Sequence, residues 1–270
     1  MNYDQYYNLC KKSYSGEVDI EAIANFYTSP VRLYDPNFLG NEYLEIIKNL
    51  SDLITQDFDT KTDCDDDGIM VKHNNIWKFH KQISSICNLL VPHMEKNQYG
   101  CHLYVDKIYI YRTLKLTDRV SSYEWHYDNN PDEIVKTLIY LNDVDEKNSP
   151  YEYLKGPNNE GVLGVCTRKG TECWYPPPNN SRVGHLIEGL KKQGYTAQQV
   201  TGKQGAMVSF INNSIHRANP IIDGYRDVIN IRVKPTMQPA PEYANPMYST
   251  SYEHSGVVNR NPVLAWKSKI

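Results

Sequence analysis

Arg226-Asp227-Val228-Ile229-Asn230-Ile231-Arg232-Val233 is the stretch on which the fold turns. Along a β-strand successive side chains leave from opposite faces, so Arg226, Val228, Asn230 and Arg232 share one face while Ile229, Ile231 and Val233 share the other. One face is polar and the other apolar. A buried guanidinium needs a carboxylate or an equivalent partner, so a polar inward face suits a barrel that holds a charged ligand. Other strand-like runs surround this one. Lys107-Ile108-Tyr109-Ile110-Tyr111-Arg112 alternates and is rich in β-formers, and residues 137–141, 151–154 and 207–211 read as further strands separated by turn residues. Such a succession predicts an antiparallel jelly roll, a cupin-like architecture, rather than a βαβ protein.

Upstream the pattern is helical. In residues 41–53 the apolar Tyr43, Leu44, Ile46, Ile47, Leu50 and Leu53 recur at three- and four-residue steps, and Trp77, Ile83, Ile86, Leu89 and Leu90 repeat the signature before Pro92. These helices are expected to buttress the sheet, giving a mainly β protein with flanking helices, an α+β fold. We expect one domain over residues 1–270: helical support in 1–99, a jelly-roll core in 100–236 with an insertion at 155–203, and an extension at 237–270. The insertion carries Tyr175-Pro176-Pro177-Pro178-Asn179-Asn180 at its centre and reads as a lid or a surface elaboration. The Pro- and Tyr-rich extension is expected to wrap back onto the domain.

A hydrophobic fraction of 40%, a charged fraction of 23% and a net charge of -3 describe an ordinary folded protein without a polyanion-binding surface, so nucleic acid is not an expected partner. No apolar run reaches the roughly 18 residues of a membrane span, and residues 1–9 lack a basic start followed by an apolar stretch. The expectation is a cytoplasmic protein without a membrane partner. Six scattered cysteines with no CxxC pair suit reduced thiols rather than a zinc or disulfide framework. Asp63-Cys64-Asp65-Asp66-Asp67-Gly68 opens like a calcium loop, but Asn74 stands where a bidentate Glu belongs, and a solvated acidic turn is expected instead.

The chemistry centres on Trp125-His126-Tyr127-Asp128. His126 and Asp128 are two residues apart and on a strand would leave from the same face, ready to chelate one metal ion. His216 can supply the third ligand. Two histidines and one carboxylate on one side of a metal form the facial triad of non-haem Fe(II) oxygenases, which leaves positions open for a co-substrate and dioxygen. Trp125 and Tyr127 point the other way and are expected to pack. After His216-Arg217-Ala218-Asn219-Pro220, the pair Asp223-Gly224 signals a return, so His216 and Arg226 are expected to face each other across a hairpin. Arg226 is the choice to grip the distal carboxylate of a dicarboxylic co-substrate, with Arg232 second. Of the other histidines, His185 alone sits where an insertion loop could meet substrate.

The segments Trp125 to Asp128, Leu141-Asn142-Asp143-Val144-Asp145-Glu146-Lys147-Asn148-Ser149-Pro150 and His216 to Arg226 resemble the phytanoyl-CoA dioxygenase family of Fe(II)/2-oxoglutarate oxygenases, over residues 101–235. The resemblance implies a double-stranded β-helix, iron held by His126, Asp128 and His216, and 2-oxoglutarate anchored by Arg226. Ala218 stands where the family often has a small hydroxyl residue, and Gly156-Pro157-Asn158 where it has a Gly-Ser-His ending. Tyr109, Tyr111, Thr137 and Tyr140 are the candidate hydroxyl partners of the co-substrate, with Asn230 on the same face as Arg226.

The implied reaction converts 2-oxoglutarate to succinate and CO2 and hydroxylates an unactivated carbon of a small molecule or amino-acid-like substrate. An intact Asp128 separates the chain from related halogenases, which have a small residue there. Three alternatives stay open: a cupin-like metal-binding sensor or structural protein without turnover, a metal-dependent hydrolase or isomerase, and a prolyl-type hydroxylase acting on a peptide substrate in a groove formed by the lid and tail.

Overall fold

Strand β10 (Arg226–Thr236) is the axis of the fold, paired antiparallel with β4 (His102–Thr113) on one side and β5 (Val135–Tyr140) on the other. The computed structural model describes residues 3–58, 62–64, 70–73, 76–115, 121–128, 134–158, 160–164, 181–240 and 242–244. Among these, the major sheet runs β1 (Val31–Tyr34), β8 (Met207–Ile211), β5, β10, β4, β3 (Met70–His73), β2 (Thr62–Cys64). A second, smaller sheet runs β7 (Thr196–Val200), β6 (Tyr151–Lys155), β9 (His216–Ala218). All pairings are antiparallel, and the two sheets face each other as in a jelly roll.

The parity of β10 decides what each face meets. Ile229, Ile231 and Val233 are fully buried together with Ile108, Ile110 and Ile139 in the core between the major sheet and the helices. In α3 (Asn41–Asp57), Tyr43, Ile47, Leu50 and Ile54 form the buried stripe, and in α4 (His80–Met94), Ile83, Ile86 and Leu90 do so. Burying each such side chain is worth about 1.5–3 kcal/mol, which fixes the sheet register from outside. The opposite face of β10 presents Val228 to an inner cluster with Tyr111, Leu138 and Val208 from the major sheet and Tyr151, Tyr153 and Val200 from the smaller one.

Helix α4 does not stop at Pro92. Pro92 forgoes one bond near the helix end, and the buried Val91 and Met94 on either side hold the last turn in place. The chain then widens into a π-turn at Glu95–Tyr99, closed by Gly100 at φ 66°, where the left-handed backbone suits glycine and its N–H reaches Glu95 O at 2.8 Å. Helices α1 (Tyr3–Ser13) and α2 (Ile20–Thr28) complete the layer, the latter capped by Asp19, which accepts from Ala22 N at 2.9 Å. A short α5 (Ile187–Lys192) precedes β7. No described helix is long and apolar enough to cross a membrane.

The stretch 155–203 is not wholly an insertion, because β7 pairs along its length with β6 and forms an edge of the smaller sheet. Its Thr-Ala-Gln-Gln run, exposed over Thr196 to Gln198, lacks the apolar alternation by which a strand is read. The proline cluster at 175–180 lies outside the described residues, as do residues 65–69 of the acidic run and 245–270 of the extension. The described start of the extension returns to the helices: Ala244 is fully buried, and its carbonyl lies 3.2 Å from His80 Nε2. Cys10, Cys87 and Cys101 are buried free thiols.

Candidate metal centre

His126 and His216 are brought together by their backbones. His126 N donates to His216 O at 3.0 Å, and His216 N donates to His126 O at 2.8 Å, so the segment around His126 lies against β9 as a further antiparallel neighbour. Residues that exchange both bonds project their side chains from the same face, and the two imidazole centroids are 4.4 Å apart. Asp128, two residues on, shares that face, with its N–H given to Asn212 O at 3.2 Å. The donor atoms of His126, Asp128 and His216 all lie within 4.8 Å of one another.

Each imidazole is oriented by a carbonyl two residues earlier. His126 Nδ1 lies 2.7 Å from Glu124 O, and His216 Nδ1 lies 2.7 Å from Ser214 O. A carbonyl only accepts, so each Nδ1 carries the proton and each Nε2 keeps its lone pair for a metal. Burial keeps both rings neutral, driving His216 down to about 3 with help from the His126 ring and lowering His126 as well. At Asp128 burial pulls the carboxyl upward, but the Lys136 ammonium and the two imidazoles outweigh it and hold the group below the usual carboxylate range. Lys136 Nζ reaches Asp128 Oδ2 at 2.6 Å. The donor set therefore fits one divalent cation bound from one side.

A cavity of about 230 Å³ opens between the sheets beside these residues, and Arg226 lines it too. Among the described residues three cations line the cavity, and their partners distinguish them. Arg217 is paired with Glu152 and lies 4.4 Å over the Trp125 ring, and Lys136 holds Asp128. Arg226, only 3% exposed, has no carboxylate partner among the described residues. Its Nη1 donates to Ser149 O and its Nη2 to Thr113 Oγ1 at 3.1 Å, while Nε is buried without a partner. Ser149 is held at φ 64°, an unusual backbone for a residue before proline, and its Oγ is also unpartnered. A buried guanidinium left in this state fits an anionic ligand bound nearby.

The hairpin expected between His216 and Arg226 does not form. β9 pairs with β6 in the smaller sheet, β10 pairs with β4 and β5 in the major one, and the two residues meet across the cavity instead. Tyr109, Tyr111 and Asn230 line that cavity with them. Thr137 does not: it sits on the helix-facing side of β5, 2.6 Å from Ser209 Oγ and 4.0 Å from Met94 Sδ. Tyr140 faces inward, but its hydroxyl is given to Val200 O at 2.7 Å. Arg232 is bound to Asp106 and is outside the cavity lining. Trp125 and Tyr127 pack on the outer side of the smaller sheet with Leu154 and Ile215, and His185 is exposed. Sequence reasoning passed over Lys136, whose place on Asp128 depends on a pairing of segments that spacing does not reveal. Thr113 and Ser149 were missed as partners of Arg226, although the Ser-Pro step offered a turn signal.

No protein-family model matches the chain, and no curated protein matches it. Solved structures do. EctD from S. alaskensis with bound Fe superposes with a TM-score of 0.54 at 13% identity, covering 88% of this chain and 82% of that one. The epimerase SnoN in complex with Fe3+, alpha ketoglutarate and nogalamycin RO gives 0.50 at 11% identity, covering 79% and 82%. HygX from Streptomyces hygroscopicus with nickel, 2-oxoglutarate and hygromycin B bound gives 0.49 at 14% identity, covering 82% and 89%. Identities this low establish the fold, a double-stranded β-helix with flanking helices.

Proposed function

We propose that the chain is an Fe(II)- and 2-oxoglutarate-dependent oxygenase that hydroxylates an unactivated carbon of a small molecule or amino-acid-like substrate. The observation that carries this reading is the buried Arg226, without a carboxylate partner among the described residues, in the same cavity as His126, Asp128 and His216. A mere metal holder has no use for such a guanidinium. The iron bound in EctD and the Fe3+ and alpha ketoglutarate bound in SnoN, on the same fold, support the cofactor assignment. The narrower likeness to phytanoyl-CoA dioxygenases rests on the sequence motifs alone.

His126, Asp128 and His216 would hold the iron. Together with 2-oxoglutarate it would activate dioxygen for attack on a C–H bond, with succinate and CO2 as co-products. The protein's part is placement. The Glu124 and Ser214 carbonyls aim both Nε2 atoms, and three protein donors leave coordination positions open. Arg226 would take the distal carboxylate in two parallel hydrogen bonds, flanked by Tyr109, Tyr111 and Asn230. Phe210 and Tyr151, with ring centroids 5.0 and 5.5 Å from that of His216, shield the centre from bulk water.

Succinate release from 2-oxoglutarate by aerobic, iron-loaded protein tests the proposal. Slow succinate formation that requires both iron and dioxygen, and is lost in His126→Ala and Arg226→Met, is expected. Well-folded, iron-loaded protein that forms no succinate would point to a metal-binding module.

A further inference from the structure

Beyond Asn230 the inner face of β10 continues to Arg232, and there the sheet carries a row of cations. Arg232 is the register partner of Lys107 on β4 and of Lys136 on β5. Like charges directly opposite one another on adjacent strands destabilise a sheet, so three in one row need compensation. A bulge supplies part of it. Arg232 faces Lys107 and Val233 faces Val105, which leaves Asp106 as an extra residue on β4, aimed at Arg232 Nη2 at 2.6 Å and Lys234 Nζ at 2.7 Å. Asp128 holds Lys136, but it is also a candidate metal ligand.

Lys107 is left over. It is half-buried and has no ion-pair partner among the described residues, and burial first, then Arg232, push its ammonium down to about 8. It shares the inward face of β4 with Tyr109, which lines the cavity. The row is also remote from Arg226 at the start of the strand. Six residues separate Arg226 from Arg232, about 20 Å along a strand. A five-carbon diacid, roughly 7 Å long from its bond lengths, cannot serve both.

We propose that the primary substrate carries an oxyanion, a carboxylate or a phosphate, received by Lys107 between Arg232 and Lys136, where the inner face of the sheet continues past the cavity lining from Tyr109 and Lys136. This rests on the oxygenase reading, which assigns Arg226 to 2-oxoglutarate and so leaves the row for the substrate. Hydroxylation would then occur at a carbon a short distance from that anionic group.

The full chain loaded with Ni(II) and 2-oxoglutarate, which does not turn over, is titrated calorimetrically with inorganic phosphate, acetate and methylammonium. Wild type should bind phosphate or acetate and not methylammonium, and the preferred anion identifies a phosphate or a carboxylate substrate. Affinity should fall at least about tenfold in Lys107→Met and in Lys107→Gln and persist in Lys107→Arg, with 2-oxoglutarate affinity unchanged in all three. Equal anion affinity in wild type and the neutral variants, or no anion binding to wild type, would overturn the proposal. So would loss of 2-oxoglutarate in Lys107→Met with retention in Arg226→Met, since the row would then be the co-substrate site. If wild type fails to bind 2-oxoglutarate at all, the oxygenase reading falls, and the same titration on the Ni(II)-loaded protein decides the anion site by itself.

Discussion

Lys136 Nζ lies 2.6 Å from Asp128 Oδ2, so one carboxylate oxygen of a candidate metal ligand is held by a cation on the neighbouring strand β5. Asp128 has a depressed carboxyl in the folded protein, so its contribution to stability is present above the unfolded value of about 4 and is lost only as pH falls through the lower folded value. Lys136→Met removes the main lowering influence and leaves burial unopposed by it. Metal affinity should drop about 10- to 100-fold, and its loss on acidification should begin at higher pH than in wild type. Calorimetric titration with Ni(II) across pH 5–8 measures both effects.

The imidazoles make metal-free protein acid-sensitive in the same direction. His216 is lowered to about 3 and His126 is also lowered, whereas an unfolded histidine titrates near 6.5. Between those values the unfolded chain binds more protons than the folded one, so stability rises with pH and falls steadily as pH drops below about 6.5. Thermal unfolding of metal-free protein at pH 7 and pH 5 should show a lower Tm at pH 5. His216→Gln should reduce that difference.

Arg226→Met separates co-substrate from metal. The substitution removes a buried charge with no carboxylate partner among the described residues, so the ligand-free protein should be as stable as wild type or more stable. Metal binding should be kept, and 2-oxoglutarate affinity should fall at least about 100-fold, in line with the 2–5 kcal/mol of a buried charge pair. Differential scanning fluorimetry with and without 2-oxoglutarate reads this directly: wild type gains Tm and the variant does not.

Gly164 controls the segment that carries the ligands. A methyl group there would lie 2.2 Å from Tyr127 Cγ, against the root of a ring that is itself buried in a cluster with Trp125, Leu154 and Ile215. Gly164 N also donates to Asn213 O at 2.8 Å, so the backbone cannot simply back away. Gly164→Ala should destabilise the protein by about 1–3 kcal/mol and weaken metal binding by displacing residues 126–128. Denaturant unfolding and a Ni(II) titration on the same sample test the two consequences together.

Much of this was legible in the sequence because period-two patterning survives wherever one strand face is buried. β8 was bounded correctly, and the alternation of Arg226 to Val233 does separate a helix-facing apolar side from a cavity-facing one. That His126 and Asp128, two residues apart, present their donor atoms together was legible for the same reason. What escaped depends on contacts between distant segments. β9 has three residues and takes its place from β6 and His126 rather than from its own composition, so the sequence offered a hairpin with β10 where the two strands belong to different sheets. Thr137 was placed beside the co-substrate by residue type, but a one-residue step in parity sends it to the helices.

The central claim is that one cavity binds iron through His126, Asp128 and His216 and 2-oxoglutarate through Arg226. Its most direct test is the visible absorption of anaerobic protein to which Fe(II) and then 2-oxoglutarate are added. A charge-transfer band that requires both additions, is absent in His126→Ala and is weakened in Arg226→Met is the predicted result. Well-folded, iron-loaded protein that shows no such band at saturating 2-oxoglutarate would contradict it.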